Sequence, residues 1–135
     1  MRKITFIIVH CTATRAGKAF TAADIDRWHR ARGFKKIGYH YVVGLDGYIE
    51  LGRDLEEIGA HAKGINKCSI GVAYVGGLDS AGQPADTRTP EQKAALVRLL
   101  RHLKELFPEA VIIGHRDVAA KACPCFDAKS EYKRI

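Results

Sequence analysis

The sequence predicts an α/β fold (α+β in some schemes) in which a single domain over residues 1–135 has a central mixed β-sheet flanked by helices. The first observation behind this is a set of short apolar, β-branched runs typical of buried strands, at residues 3–9, 69–75 and 111–114. The second is a pair of segments with apolar residues at helical spacing, each preceded by a threonine cap signal. The third is the length of 135 residues, which suits one compact domain.

The first predicted helix follows the first strand, over about residues 22–32. Thr21 is its N-cap and Asp24 stands three residues further on, in a capping-box-like position. Gly33 is the stop signal. The inner face carries three side chains, which we expect to pack in the core rather than contact a ligand: Ile25, Trp28 and His29.

A hairpin and a buried strand form the middle of the chain. Residues 39–43 are a predicted strand, residues 45–47 (Leu-Asp-Gly) are a turn signal, and residues 48–51 return along the first strand. The strand at residues 69–75 follows, and the polar, turn-rich residues 78–88 indicate a surface loop. Between these elements, Arg53 and Asp54 have the pattern of an ordinary exposed ion pair.

The second predicted helix has a strong start signal in Thr89, Pro90 and Glu91, which supply an N-cap, a proline at the first helical position and an acid. Pro108 follows its end, and the last strand then ends on Gly114. The apolar side of this helix carries seven small or aliphatic residues: Ala94, Ala95, Leu96, Leu99, Leu100, Leu103 and Leu106.

Charge and hydropathy limit the partners of the chain. The net charge is +7, but the basic residues are scattered and no nucleic-acid motif accompanies them, so we expect no nucleic-acid partner. No apolar run approaches the ~18–20 residues of a membrane span, so no stable membrane insertion is expected. The first three residues lead straight into a strand without the apolar region of a secretory signal, so we expect synthesis in the cytoplasm. We also expect a monomer.

Two histidines and a cysteine have the pattern of an open metal site. His10 ends the first apolar run, and His115 directly follows Gly114, so sheet geometry can place the two imidazoles side by side. Cys123 stands eight residues after His115. A catalytic zinc usually has three protein ligands and one open position, and both imidazole and thiolate suit zinc. Polar neighbours at residues 11–12 and 116–117 could supply hydrogen bonds to the ligands.

Several separated motifs match one known family in order and spacing. They are V-H-C-T-A-T, W-H, G-Y-H-Y, D-G-Y-I-E-L-G-R, G-A-H-A-K-G-I-N-K-C-S-I-G-V, V-G-G-L-D and H-R-D-V-A-A-K-A-C-P-C-F-D. Over about Lys3 to Asp127, the chain closely resembles the zinc-dependent N-acetylmuramoyl-L-alanine amidases of the second amidase family. Small phage amidase-type lysozymes are the most similar members, and peptidoglycan recognition proteins share the fold.

The resemblance implies a complete catalytic set. The zinc ligands of the family match His10, His115 and Cys123, its catalytic tyrosine matches Tyr39, and its catalytic lysine matches Lys121. The implied reaction is zinc-dependent hydrolysis of the amide bond between N-acetylmuramic acid and L-alanine in bacterial peptidoglycan. Lys121 would donate to the oxyanion, and Tyr39 would either hydrogen-bond the zinc-bound water or the oxyanion or help to move a proton to the leaving amine. The place of action would be the cell wall, reached by release or export as for a phage or prophage endolysin.

Further residues have weaker or alternative assignments. Cys125 stands where similar phage enzymes usually carry serine, so it is an alternative ligand, although the A-C-P motif favours Cys123. Cys11 and Cys68 are interpreted as small buried hydrophobic residues. Four residues are candidate substrate contacts: His40, His61, Lys63 and Asn66.

Two alternative functions accompany the amidase hypothesis. A peptidoglycan-binding module of the same fold would bind without cutting, but the retained cysteine and lysine argue against it. Some similar phage lysozymes also inhibit a phage RNA polymerase, and we do not carry that property over to this chain.

Overall fold

A computed structural model describes residues 2–135 of the chain. Seven strands and three α-helices follow one another along the sequence, with two short 3₁₀ turns at Asn66–Cys68 and His115–Asp117. In chain order the elements are β1 (Phe6–Cys11), β2 (Thr14–Arg15), α1 (Ala22–Ala31), β3 (Tyr41–Val43), β4 (Ile49–Leu51), β5 (Ser69–Tyr74), β6 (Gly77–Leu78), α2 (Pro90–Leu106), β7 (Val111–Gly114) and α3 (Ala128–Glu131).

The five-stranded sheet has the order β4-β3-β5-β1-β7. Strand β1 pairs in parallel with both β5 and β7, β3 pairs in parallel with β5, and β4 alone runs antiparallel at the edge beside β3. The short strands β2 and β6 form a separate parallel pair. The predicted mixed sheet flanked by helices is therefore confirmed. The parallel pairing places the carboxyl ends of β1, β5 and β7 at the same end of the sheet.

Helices cover both faces of the sheet because its central strands are apolar on both sides. The larger core cluster packs α2 side chains such as Leu96 and Leu100 against Ile7, Val9 and Val72 of the sheet. Smaller clusters on the other side of the sheet contain Ile25 of α1 and, separately, Ile8 with Ile113. Burial on both faces explains why β1 and β5 are nearly continuous apolar runs rather than alternating ones.

Both helix starts are confirmed in detail. Thr21 caps α1 and forms a capping box with Asp24, and Thr89 caps α2 and forms one with Gln92. The Gln92 amide also donates to the backbone carbonyls of Val43 (3.2 Å) and Val75 (2.9 Å), so the cap of α2 is tied to the sheet. Gly33 has φ +96°, a left-handed conformation that suits glycine just after the end of α1.

Element boundaries differ from the sequence prediction where tertiary pairing decides them. Strand β1 begins at Phe6 and extends through His10 to Cys11, because β5 supplies partners up to Tyr74. Strand β3 begins at Tyr41, so the two preceding residues lie in a loop. Helix α3 and the β2–β6 pair were not predicted, since two- and four-residue elements are too short to show a periodic pattern.

Three further expectations can be compared with the structure. Arg53 is buried rather than an exposed partner of Asp54: its Nε donates to the Ile37 carbonyl and its Nη1 to the Ile58 carbonyl, both at 2.7 Å. These bonds satisfy loop carbonyls that the sheet leaves without partners.

Cys11 is buried as expected, whereas Cys68 is only half-buried. None of the helices in residues 2–135 is long and apolar enough to cross a membrane.

Candidate metal centre and active-site groove

The two candidate histidines meet at the end of the sheet where the parallel strands have their carboxyl ends. Val9 of β1 is in register with Gly114 of β7, so the next residue on each strand, His10 and His115, lies at the same level. Their ring centroids are 4.5 Å apart. His10 is 1% exposed, because it lies within β1 between two neighbouring strands, whereas His115 follows β7 and is half-buried.

The loop after β7 returns Cys123 to the same point. The Arg116 backbone N–H donates to the Cys123 carbonyl at 2.8 Å, which closes the loop behind His115. The Cys11 backbone N–H donates to the Cys123 Sγ at 3.2 Å, and that sulfur lies 3.8 Å from His10 Nδ1. One ligand atom each from His10, His115 and Cys123 lie within 4.8 Å of one another.

This donor set fits a zinc ion. Tetrahedral zinc with Zn–S of about 2.3 Å and Zn–N of about 2.05 Å separates sulfur and nitrogen ligands by about 3.6 Å. The observed 3.8 Å between Cys123 Sγ and His10 Nδ1 is within a few tenths of an ångström of that value. Two nitrogens and one sulfur leave one position of a tetrahedron for another group, as in catalytic zinc sites.

The electrostatics favour the protonation states that bind metals. Burial lowers the pKa of His10 well below its usual value, and the neighbouring His61, His115 and Lys121 lower it further. Burial and then Lys121 lower the pKa of His115. The pKa of the Cys123 thiol is also lowered, because the Cys11 thiol and backbone N–H favour its thiolate form. Neutral imidazole and thiolate are the forms that ligate zinc.

Cys125, the alternative ligand, has a different environment. Its Sγ contacts the Gly77 carbonyl at 3.3 Å and the Cys11 Sγ at 4.0 Å, beside the β2–β6 pair. Burial is the first cause that raises its pKa, to about 11, so its thiol stays protonated. The geometry therefore groups Cys123, and not Cys125, with the two histidines.

Tyr39 and Lys121 line the groove that opens at the three candidate ligands. The Tyr39 ring centroid lies 5.1 Å from that of His10. Burial, with Cys123 and Cys11 nearby, raises the pKa of Tyr39, so the phenol keeps its proton. Lys121 is exposed, and its charge lowers the pKa of both histidines.

The groove has a volume of about 930 Å³. Its lining comes from residues 60–66, from the loop after β7, and from α1 with the residues after it, a part of the lining called here the α1 wall. Trp28 and His29 pack as expected: Trp28 stacks edge-on against Phe20 at 4.8 Å, and His29 Nδ1 accepts from the Gly38 N–H at 2.9 Å. Both also line the groove, together with further side chains of the α1 wall: Ile25, Arg32 and Phe34.

The four weaker candidates occupy different places. Lys63 is exposed at the groove wall, and Asn66 Oδ1 accepts from the backbone N–H groups of His61 and Ala62, both at 2.9 Å, so Asn66 shapes this loop.

The expectation of a substrate contact by His40 is not met. His40 is fully buried, its Nδ1 accepts from the Gly71 N–H at 3.0 Å, and its Nε2 donates to the Glu57 carbonyl at 2.8 Å.

His61 makes a contact that sequence reasoning missed. Its side chain lines the groove, but its Nδ1 lies 2.8 Å from His10 Nε2. The sequence suggested hydrogen-bond partners for the ligands only among their immediate neighbours. The separation of 51 residues between His10 and His61 carries no local signal, because it is the pairing of β1 with β5 that brings strand β1 close to the loop that carries His61.

Comparison with known proteins identifies the family of the chain. Residues 1–126 match the sequence profile of the family described as N-acetylmuramoyl-L-alanine amidase. The endolysin of Enterobacteria phage K11 is 45% identical over 119 residues, which cover 88% of this chain and 79% of the phage protein.

Solved structures share the fold. The N-acetylmuramoyl-L-alanine amidase LysC from Clostridium intestinale URNW superposes with a TM-score of 0.81 at 29% identity, over 96% of this chain and 82% of that one. A Drosophila PGRP-LB variant in complex with tracheal cytotoxin superposes with a TM-score of 0.82 at 24% identity, over 99% and 82% of the two chains, a likeness of fold. By its sequence match, its relatives and its fold, the chain belongs to the N-acetylmuramoyl-L-alanine amidase family.

Proposed function

We propose that this chain is a zinc-dependent hydrolase that cuts the amide bond between N-acetylmuramic acid and L-alanine in bacterial peptidoglycan, and that one domain over residues 1–135 carries the activity. The observation that carries the proposal is the convergence of His10, His115 and Cys123 ligand atoms within 4.8 Å at the head of a groove. Membership of the amidase family and the similarity to phage endolysins support the reaction and its cell-wall substrate.

In this proposal His10, His115 and Cys123 hold the zinc ion. A zinc ion in such a site supplies a Lewis acid and brings the ionisation of water into the neutral pH range. The protein contributes two neutral imidazoles and a thiolate, and each of these states is favoured by the burial or the hydrogen bonds described above. The enclosed position of His10 within β1 leaves one of its ring nitrogens facing the groove side of the cluster.

Lys121 and Tyr39 act on the amide itself. The Lys121 ammonium, whose charge lowers the pKa of both candidate histidine ligands, can donate to the oxyanion that develops when the carbonyl is attacked. Tyr39 keeps its proton because its pKa is raised, so the phenol is a hydrogen-bond donor toward the reacting oxygen or the leaving amine. Both groups line the groove at the metal cluster, which is the position that these roles require.

The groove walls suit a substrate with both sugar and peptide parts. The α1 wall offers apolar and aromatic surface from Trp28 and Phe34, with the Arg32 guanidinium stacked on Phe34 at 5.1 Å. The lining at residues 60–66 offers the exposed ammonium of Lys63 and the loop that Asn66 holds. Aromatic faces can pack on sugar and peptide surfaces, while the cations can bind the carboxylates of a peptidoglycan stem peptide.

The experiment uses a matched pair of variants, Cys123→Ser and Cys125→Ser. We expect wild type and Cys125→Ser to bind one zinc ion per chain and to release new L-alanine amino termini from purified sacculi. Cys123→Ser should lose both properties, because a serine hydroxyl is a poor zinc ligand. Zinc is measured by elemental analysis after dialysis, and amino termini by dansylation.

Two outcomes would contradict the proposal. If Cys125→Ser loses zinc while Cys123→Ser retains it, the ligand set is wrong. If zinc-loaded wild type binds sacculi without releasing amino termini, the chain is a peptidoglycan-binding module rather than an amidase. New reducing sugars in place of amino termini would instead indicate cleavage of the glycan.

A further inference from the structure

A row of three side chains runs from the candidate metal cluster into the protein. His10 Nδ1 faces Cys123 Sγ at 3.8 Å, and the other nitrogen of the same ring, Nε2, lies 2.8 Å from His61 Nδ1. On the far side of the second ring, His61 Nε2 lies 3.3 Å from Ser69 Oγ. The two imidazole rings meet edge to face, at an interplanar angle of 86°.

Counting donors and acceptors along this row allows one arrangement of protons. A nitrogen that ligates a metal must present its lone pair, so metal binding through Nδ1 of His10 leaves the proton on Nε2. That Nε2–H then donates to His61 Nδ1, which must be unprotonated, and His61 carries its own proton on Nε2. The Ser69 hydroxyl, which is fully buried, accepts from that group.

The His61 ring is held in this orientation by close backbone contact. A Cβ atom at Gly71 would lie 2.6 Å from His61 Cγ, and one at Gly59 would lie 2.7 Å from His61 Cδ2. Both distances are too short for any side chain larger than hydrogen, so these glycines leave just enough room for the ring. Asn66 holds the His61 backbone N–H at 2.9 Å.

We propose that His61 is a positioning residue for the metal centre, which fixes the tautomer and ring orientation of His10 so that Nδ1 points at the metal. This inference rests on the proposed zinc function. It assigns to an imidazole the role that a carboxylate or backbone carbonyl has beside most metal-ligating histidines. This role is separate from the substrate contact that the sequence suggested for His61, which stays a prediction.

The expected size of the effect follows from the burial of His10. His10 is 1% exposed, so removal of the acceptor at residue 61 leaves its Nε2–H without a hydrogen-bond partner in a buried site. Loss of such an outer partner typically lowers metal affinity by about 10–100-fold. We expect a change in this range for the zinc dissociation constant of a variant without the acceptor.

The test compares His61→Leu with His61→Asn. The Oδ1 of asparagine is the same number of covalent bonds from Cα as the Nδ1 of histidine, so asparagine retains an acceptor for His10. Leucine has the same branching as asparagine but no polar atom. His102→Leu, on the exposed side of α2, is the matched control for loss of a histidine. Zinc dissociation constants are measured by competition with a chromogenic chelator, and the His10 Nε2–H proton is observed by long-range ¹H–¹⁵N NMR.

We expect His61→Leu to weaken zinc binding by about 10–100-fold and to abolish the His10 Nε2–H signal, with His61→Asn restoring most of both and His102→Leu unchanged. Equal zinc affinity in the leucine and asparagine variants would overturn the inference, as would a His10 proton on Nδ1. Thermal melting of the metal-free variants identifies any that fail to fold, and the NMR result on wild type then decides. Failure of wild type itself to bind zinc through Cys123 would instead contradict the proposed function.

Discussion

Removal of one buried hydroxyl should weaken the loop that carries the candidate cysteine ligand. Tyr74, at the end of β5, is fully buried, and its hydroxyl donates to the Pro124 carbonyl at 2.7 Å. Pro124 stands between Cys123 and Cys125, so this bond joins the central sheet to the loop after β7. In Tyr74→Phe the ring is retained and no large cavity forms, while the Pro124 carbonyl loses its partner in a buried site.

The expected cost is that of an unsatisfied buried carbonyl, about 1–3 kcal/mol. This is a substantial part of the free energy of unfolding of a domain, which is typically about 5–15 kcal/mol. Unfolding entropy is about 2.1 cal/mol/K per residue, so 1 kcal/mol corresponds to about 3.5 °C for a chain of 135 residues. Tyr74→Phe should therefore lower the Tm by about 4–10 °C.

The assay is urea unfolding of the metal-free protein, followed by circular dichroism, with thermal melting in parallel. Tyr48→Phe is the matched control, because Tyr48 is 69% exposed and water can replace its hydrogen bonds. We expect the control to stay within about 0.5 kcal/mol of wild type, as most surface substitutions do. If Tyr74→Phe is as stable as Tyr48→Phe, the carbonyl has another partner and the reasoning is refuted.

Three other predictions concern charge. Arg88→Leu should lower the free energy of unfolding, measured in urea, by about 1–3 kcal/mol. The reason is that the buried guanidinium stacks on Phe126 at 3.4 Å and pairs with two partly exposed carboxylates. If the variant is as stable as wild type, solvent screening cancels the contribution of these ion pairs. Lys121→Met should lower kcat by about 10²–10³-fold at unchanged zinc content, as for loss of an oxyanion donor, and a change in KM alone would contradict that role. Burial lowers the pKa of His40 to about 4, below the ~6.5 of the unfolded chain, so folding favours the neutral ring. As the pH falls from 7 to 5, the free energy of unfolding of the metal-free protein should therefore decrease by about 2 kcal/mol through this group. The prediction is refuted if the free energy of unfolding, measured in urea, falls as steeply with pH in His40→Asn as in wild type.

Local signals predicted the regular elements well where their patterns are long or capped. The two threonine caps, the glycine after α1, and the apolar runs of β1, β5 and β7 appear in the structure at the predicted places, with boundaries shifted by a few residues. The misses are short elements such as α3, whose four residues cannot display a period, and Arg53, whose burial depends on carbonyls elsewhere in the chain.

The candidate site divides in the same way. His10 and His115 were suggested by their positions after apolar runs, and parallel pairing with β1 in the middle does bring them together. The choice between Cys123 and Cys125 was open to reasoning from residues alone, because two cysteines in one loop have the same local pattern. The fold of that loop points the first sulfur at His10 and the second at the Gly77 carbonyl.

The sequence by itself determined which residue types are available for metal and amide chemistry, where the helices begin, and that a mixed sheet lies between them, because caps and hydrophobic periods are local properties. Only the tertiary structure decided that His40 is a buried hydrogen-bonding residue and that His61 contacts His10. His40 stands between two tyrosines and His61 between two alanines, and neither context indicates which of them contacts a metal ligand. Their different roles arise from the neighbours that β5 and the loop at residues 59–66 bring to them, and such contacts leave no trace in local sequence.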